Sequence, residues 1–124
     1  MNSLYPLRFR PVLKETLWGG SALKERFGKK AKAGAMIGES WEIIGMPGLS
    51  SVASNGYLKG NTLEEIAEIY MDELLGESVY EKYGTEFPLL IKFIDANDRL
   101  SIQVHPDDRL AAERHHAWGK TEMW

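Results

Sequence analysis

Residues 100–105 alternate apolar and polar side chains, and the polar ones are of types that bind ligands. A period of two predicts a β-strand with one apolar face and one polar face. The polar face would present the hydroxyl of Ser101, the amide of Gln103 and the imidazole of His105. Alternate residues on a strand lie about 6.6 Å apart, so side chains that lean together could share one metal ion. Pro106 cannot donate to a β-ladder and is expected to end the strand.

A second short alternating segment, residues 120–124, places Lys120 and Glu122 on one side. If both segments line one cavity, Gln103, His105 and Glu122 supply three metal ligands, with Lys120 beside them. A mixed nitrogen and oxygen set suits a catalytic zinc ion better than a closed structural site. The structural alternative stays open on spacing alone, since a histidine before a proline commonly marks only a strand end and glutamine is a rare ligand.

Other stretches with strand patterns would have to position these side chains. In the second of them, over 37–45, Glu39 and Trp41 share one face, and Asn55-Gly56 after the last is a hairpin-type turn signal. Between the first two, the glycines of Leu17-Trp18-Gly19-Gly20 predict a tight bend that brings backbone close to a ligand. The stretches are an edge strand over 4–12, a strand over 37–45 and a short strand over 49–54.

Residues 88–94 form an apolar run interrupted by one charge, which predicts a central strand buried on both faces. Burying a lysine is costly unless its ammonium reaches a partner or a cavity. Lys92 is therefore a candidate for contact with an anionic substrate. The turn over 95–98 would fold the chain back and bring Lys92 near the polar face of Ser101, Gln103 and His105.

Three helical stretches are predicted. Ser21 and Gly28 delimit a short helix, and Thr62 with Glu65 forms a capping box that opens a longer one. An apolar stripe of the long helix recurs at helical spacing, and a further helical turn over 78–82 closes the segment at Gly84. The third helix follows Pro106, with Asp107 in its acidic first turn. The stripe consists of Leu63, Ile66, Tyr70 and Leu74.

Composition excludes several classes of function. The 124 residues are 44% hydrophobic and 27% charged, as in an ordinary globular protein. A net charge of −3 gives no reason to expect nucleic acid or an anionic membrane as a partner. Without cysteine, a metal site must use histidine, carboxylate or amide ligands. The sequence has no spanning segment and no signal-peptide pattern, so a cytoplasmic location is expected.

Four blocks of this sequence, in the same order, resemble the type I mannose-6-phosphate isomerase family. Each block is short, but the order and the unusual Gln-x-His-Pro make the resemblance specific. It runs from about residue 4 to residue 124. The blocks are Leu17-Trp18-Gly19-Gly20, Gly38-Glu39-Ser40-Trp41-Glu42-Ile43, Leu-Ser-Ile-Gln-Val-His-Pro-Asp-Asp at 100–108, and Gly-Lys-Thr-Glu-Met-Trp at 119–124.

The resemblance implies a mainly β fold, a cupin-type jelly roll, of which residues 1–124 would be the N-terminal part with an inserted helical segment around 61–84. It implies a zinc-dependent aldose–ketose isomerase that interconverts mannose 6-phosphate and fructose 6-phosphate through an enediol. Family members are longer, and their fourth metal ligand, a histidine, would lie beyond residue 124. Residues 1–124 alone are therefore expected to be inactive.

The resemblance also implies roles for individual residues. Gln103, His105 and Glu122 would hold the zinc ion, and Lys120 would be catalytic, moving a proton if desolvation lowered its pKa. A separate set of four residues would bind the substrate, and Ser101 among them would contact its phosphate. These substrate-binding residues are Trp18, Glu39, Lys92 and Ser101.

Not every role transfers from the resemblance. Gly119-Lys120-Thr121-Glu122 replaces the His-Lys-Pro-Glu of longer members, so no role of that histidine applies here, and the identity of the catalytic base stays open. On the sequence alone, Trp18 fits a core aromatic as well as a place at the mouth of the site. Asp107 as a base is a weaker alternative to its place in a helix. His115 and His116 are expected on the surface.

Two other functions remain open at this point. One is a non-catalytic, metal-binding cupin that binds a sugar phosphate as a regulatory domain. The other is an interaction module that presents the apolar stripe of the long helix to a partner, which requires the stripe to be exposed.

Overall fold

The computed structural model describes residues 2–124, and its framework is one antiparallel sheet with β2 at the centre. β1 and β3 pair along one edge of β2, and β4 pairs along the other. This sheet with its helical segment confirms the mainly β class expected from the sequence. The strands are β1 (Val12–Gly20), β2 (Ile37–Met46), β3 (Leu49–Ser50) and β4 (Phe87–Ile94), and the helices are α1 (Ala22–Glu25), α2 (Leu63–Leu75), α3 (Glu77–Tyr83) and α4 (Asp108–His115).

The helical segment forms where local sequence signals place it. The Thr62 hydroxyl accepts from the Glu65 backbone N–H at 3.1 Å, and the Glu65 carboxylate accepts from the Thr62 N–H at 2.8 Å, which completes the capping box. α2 ends before Gly76 and α3 before Gly84, and both glycines have positive φ. The expected helical insertion around residues 61–84 is therefore confirmed. α2 is kinked at Met71, whose φ is 48°.

The apolar stripe of α2 packs into the core. Leu63, Ile66 and Tyr70 are at most 5% exposed, and the last two cluster with Ala53 and Leu58. Because the stripe is covered inside the chain, the hypothesis of a partner-binding helix is wrong. None of the helices in residues 2–124 has the length and apolar character needed to cross a bilayer.

The N-terminal stretch differs from the predicted edge strand over 4–12. It makes only an isolated bridge, between Phe9 and Ala53, and is otherwise anchored by side chains. The Tyr5 hydroxyl donates to the Asn55 carbonyl at 2.8 Å, and the Asn55 amide oxygen accepts from the Arg8 N–H at 2.7 Å. Prolines at 6 and 11 remove ladder donors. The Asn55-Gly56 turn therefore fastens this stretch and does not connect a regular hairpin.

β1 runs through the glycine pair that predicted a bend. A Cβ on Gly19 would lie 2.6 Å from the carbonyl carbon of Ile37 and would also collide with the Gly38 nitrogen. The glycine is thus needed because two backbones approach each other, and not because a ligand does. The ladder between β1 and β2 also shifts register between Glu15 and Gly20.

β4 lies at a sheet edge, so the predicted central strand buried on both faces is wrong. In the described part of the chain β4 pairs only with β2, and its burial alternates. Leu89, Ile91 and Phe93 are exposed, while Lys92 and Ile94 lie on the more buried face. The apolar run therefore reflects a face that residues 2–124 cover only in part, where the Phe27 ring packs against Phe93.

The two alternating segments that carry the candidate ligands are not strands in this structure. The chain leaves β4 through a turn at 95–98 and continues irregularly to α4. Ile102 is 99% exposed and Val104 is 94% exposed. Alternation predicts a strand only if a neighbouring strand supplies hydrogen bonds and a core covers the apolar side. Residues 2–124 provide neither for 100–105 or 120–124.

Candidate active site

One face of the sheet carries a cluster of polar side chains from three strands. Lys14 of β1 is directly opposite Glu39 of β2, and Trp41 of β2 is opposite Lys92 of β4. Opposite residues in an antiparallel pair project from the same face. Glu39 and Trp41 are two residues apart, so all four side chains lie on one face.

Glu39 is the centre of this cluster. Its Oε1 accepts a hydrogen bond from the Lys92 Nζ at 2.9 Å, and its Oε2 accepts one from the Trp41 Nε1 at 2.6 Å. The Lys14 Nζ lies 4.5 Å from the centroid of the Trp41 ring, a cation–π contact. Of the two possibilities left open by the sequence, a partner or a cavity for the Lys92 ammonium, the structure shows a partner, which is Glu39.

The surroundings of Glu39 keep it ionised. Burial is the largest single effect and raises its pKa, but the hydrogen bonds from Trp41 and Lys92 and the positive charges of Lys92 and Lys120 together outweigh it. The net result is a pKa below the ordinary value of 4.5.

The lowered pKa predicts an acid-sensitive contribution to stability. The stabilisation from ionised Glu39 is present above pH 4.5, the ordinary carboxyl pKa, and is lost as the pH falls through its lower folded-state value. Wild type should therefore be more stable than Glu39→Gln at pH 7, and the difference should shrink below pH 4.5. Urea unfolding of both chains at several pH values measures it. A difference that is constant down to pH 3 would contradict the assignment.

The C-terminal candidates form a second group. The His105 Nε2 lies 3.7 Å from Glu122 Oε2, and the Lys120 Nζ lies 3.2 Å from Glu122 Oε1. His105 is partly buried and the segment around it is exposed. The structure thus brings together the imidazole, the carboxylate and the lysine that the sequence placed in one site, although neither segment is a strand.

Gln103 and Ser101 contact each other. The Gln103 Nε2 donates to the Ser101 Oγ at 3.0 Å, and both side chains are exposed. This bond leaves the amide oxygen of Gln103, the atom that would bind a metal, free of that contact. The structure shows no hydrogen bond between Gln103 and the pair of His105 and Glu122 within residues 2–124.

The His105–Glu122 pair fits part of a zinc site. Two ligands on a tetrahedral zinc ion, with bonds near 2.0–2.1 Å, are separated by about 3.3 Å, and the two atoms here are 3.7 Å apart. Residues 2–124 contain no group of three or more histidine, cysteine or acidic side chains placed to hold a metal ion. The donor types suit zinc, and the amide of Gln103 is the further donor that the sequence offers.

The remaining candidates are placed as follows. Trp18 is half-buried, with its ring against Gly38, where a Cβ would lie 2.7 Å from the indole. The Asp107 carboxylate accepts from the Leu110 N–H at 2.8 Å, so Asp107 is the N-cap of α4. His115 and His116 are exposed, as expected.

Sequence reasoning missed Lys14 and the part played by Trp41. The alternation that puts Trp41 on the face of Glu39 was a usable signal. Nothing in the sequence pointed to Lys14, because its place beside Trp41 depends on the register between β1 and β2.

Comparisons with known proteins identify the family of this chain. Residues 7–121 match the family model of the phosphomannose isomerase type I catalytic domain. The mannose-6-phosphate isomerase ManA of Bacillus subtilis is 42% identical over 120 residues, which are 96% of this chain and 36% of ManA. The mannose-6-phosphate isomerase of Streptococcus mutans is 40% identical over 119 residues, again 96% of this chain and 36% of the relative.

Solved structures match as well. The mannose 6-phosphate isomerase from Bacillus subtilis superposes with a TM-score of 0.78 at 40% identity, covering 92% of this chain and 35% of that one. A mutant phosphomannose isomerase from Salmonella typhimurium gives a TM-score of 0.74 at 28% identity, with 90% and 29% covered. These matches confirm the expected fold class, the N-terminal part of a cupin.

The chain spans about 36% of the length of the curated relatives it matches. The match itself covers nearly all of this chain, from residue 7 to residue 121. The chain therefore belongs to the type I phosphomannose isomerase family and matches part of its catalytic domain.

Proposed function

We propose that this chain supplies the N-terminal part of the active site of an isomerase that interconverts mannose 6-phosphate and fructose 6-phosphate. The observation that carries the proposal is the presence of two polar groups in a chain of this family. One is the Glu39–Lys92 pair, and the other joins His105 and Lys120 to Glu122.

The proposed active site also includes residues outside the 124 described above. Ile102 and Val104 are almost fully exposed although their spacing is that of a half-buried strand. Additional strands of a cupin would pair with this segment and cover its apolar side. We expect the fourth metal ligand to come from that part of the enzyme, and residues 1–124 would be inactive alone.

The proposed metal is zinc, held by Gln103, His105 and Glu122. When bound, it would act as a Lewis acid that stabilises negative charge developing on the substrate oxygens. Glutamine is neutral, so this ligand set leaves more of the ion's charge for that purpose than an all-carboxylate set.

The side chains of this chain would bind and orient the open-chain sugar. Ser101 would donate to the phosphate, and Lys92 has two N–H groups left for substrate after its bond to Glu39. Trp18 would border the sugar. In the reaction, a base removes the proton from C2 to give an enediol, and a proton is returned at C1. Lys120 is the candidate in this chain for moving such a proton.

The regulatory alternative, a cupin that binds a sugar phosphate without turning it over, has less support. The relatives reported above are all named as isomerases. We also propose a cytoplasmic location, in keeping with a sugar-phosphate substrate and no nucleic-acid or membrane partner.

The test is a coupled assay of fructose 6-phosphate formation by the intact enzyme. Removal of divalent metal should abolish turnover, and zinc should restore it, because the ligands would otherwise leave the developing charge unstabilised. The 124-residue chain, assayed at the same concentration, should show no turnover. Activity of the intact enzyme that survives thorough metal removal would contradict the zinc proposal, while binding of the sugar phosphate without turnover would favour the regulatory alternative.

A further inference from the structure

Trp41, Glu39 and Lys92 form a continuous chain of hydrogen bonds across the sheet. The carboxylate lies between two donors, with one oxygen on the indole N–H and the other on the ammonium. The indole bond is short, at 2.6 Å, as expected for a donor facing an ionised acceptor. Each oxygen of Glu39 therefore has a fixed direction.

The indole limits a side chain that would otherwise rotate freely. The terminal torsion of a glutamate is broad, so an ion pair with one flexible lysine does not by itself fix the carboxylate plane. Trp41 has far fewer rotamers, and its neighbour in sequence, Ser40, is fully buried. A rigid donor on the same strand as the glutamate is a suitable device for holding that plane.

Charged groups face Glu39 from three sides. Lys14 is opposite it on β1 and lies over the Trp41 ring. Lys92 reaches it from β4, and Lys120 acts from the C-terminal segment. Lys14 and Lys92 lie on opposite sides of β2. Because the Lys92 ammonium is hydrogen-bonded to the Glu39 carboxylate, movement of that carboxylate would change where the ammonium is held.

We propose that Trp41 is a positioning residue whose indole N–H fixes the Glu39 carboxylate, which in turn holds the Lys92 ammonium in place for an anionic or hydroxyl-bearing ligand. The hydrogen-bond chain is a property of the 124-residue chain itself. Its consequence for catalysis rests on the isomerase function proposed above.

The first test follows the indole N–H signals of the 124-residue chain by NMR. The Trp41 signal, identified by its loss in Trp41→Phe, should move as Glu39 is protonated and should be displaced in the same direction in Glu39→Gln. The signals of Trp118 and Trp124 serve as internal references. Trp41→Phe should also raise the pKa of Glu39, because one hydrogen bond to its charged form is lost. Trp118→Phe is the matched control and should leave that pKa unchanged.

The second test is kinetic and uses the intact enzyme. Trp41→Phe should lower kcat/KM about tenfold, the scale seen when a residue that orients a ligand-binding group is removed. Trp118→Phe should leave it unchanged. A raised Glu39 pKa together with lowered kcat/KM supports the proposal.

Three results would overturn it. The first is a Trp41 indole signal that does not move as Glu39 is protonated. The second is a Glu39 pKa that is the same in Trp41→Phe as in wild type. The third is a raised Glu39 pKa in Trp41→Phe with kcat/KM unchanged from wild type. If wild type lacked isomerase activity, the isomerase proposal would fail, and the NMR results would still decide whether Trp41 fixes Glu39.

Discussion

Replacing His105 by alanine in the intact enzyme is expected to lower kcat/KM for mannose 6-phosphate about 1000-fold, because several kcal/mol of charge stabilisation in the transition state would be lost. His105 lies 3.7 Å from Glu122, a separation that two ligands of one ion can share. The variant should also bind less zinc per chain. Steady-state kinetics and metal analysis after gel filtration measure both effects.

His115→Ala is the matched control, since His115 is an exposed histidine on α4. It should keep full activity and full metal content. If both histidine variants behaved like wild type, the pair of His105 and Glu122 would be an ordinary ion pair at the surface. If His105→Ala lost activity but kept its metal, His105 would act on the substrate and not as a ligand.

The second large effect concerns the core that supports the sheet. Ile66→Ala is expected to lower the free energy of unfolding by about 3 kcal/mol, within the range for truncating a fully buried isoleucine. Ile66 has no exposed surface and packs with Ala53, Leu58 and Tyr70. Urea unfolding followed by circular dichroism measures the change.

Ile69→Ala is the control on the same helix, because Ile69 is 51% exposed. Its cost should stay within about 0.5 kcal/mol. Equal losses for the two variants would mean that the buried side of α2 is not the one described, and the idea of a partner-binding helix would regain support.

Elements with strong local signals were predictable from sequence. The capping box of Thr62 and Glu65 forms as expected, and so does the end of the helical segment at Gly84. β2 (Ile37–Met46) also matches the strand predicted over 37–45. These features depend on a few adjacent residues, whose backbone preferences and hydrogen bonds are set locally.

Elements that depend on distant partners were not predictable. The run over 88–94 reads as a central strand, but burial of Ile91 requires another layer, which residues 2–124 do not supply. The same holds for Ile102 and Val104. Conversely, Gly19 was expected to face a ligand, and only the register of β1 shows that it faces the β2 backbone.

The candidate site was predictable where it depends on residue types and local alternation, and not where it depends on contacts between distant strands. Residue types and alternation placed His105 and Glu122 together, and the structure agrees on their proximity. The sequence indicated that the Lys92 ammonium would need a partner or a cavity. It could not identify Glu39 as the partner, because the two residues are 53 positions apart in the chain. The metal-binding and substrate-binding roles of these residues remain predictions.

The unpaired edge of β4 has a practical consequence. In the part of the chain described here, its outer edge offers free backbone donors and acceptors next to the outward side chains of Leu89, Ile91 and Phe93. Such an edge is a template for strand addition by another molecule, which leads to aggregation. Solutions of the chain by itself are therefore best kept dilute, and a lysine in place of Ile91 is the kind of protection that natural edge strands use.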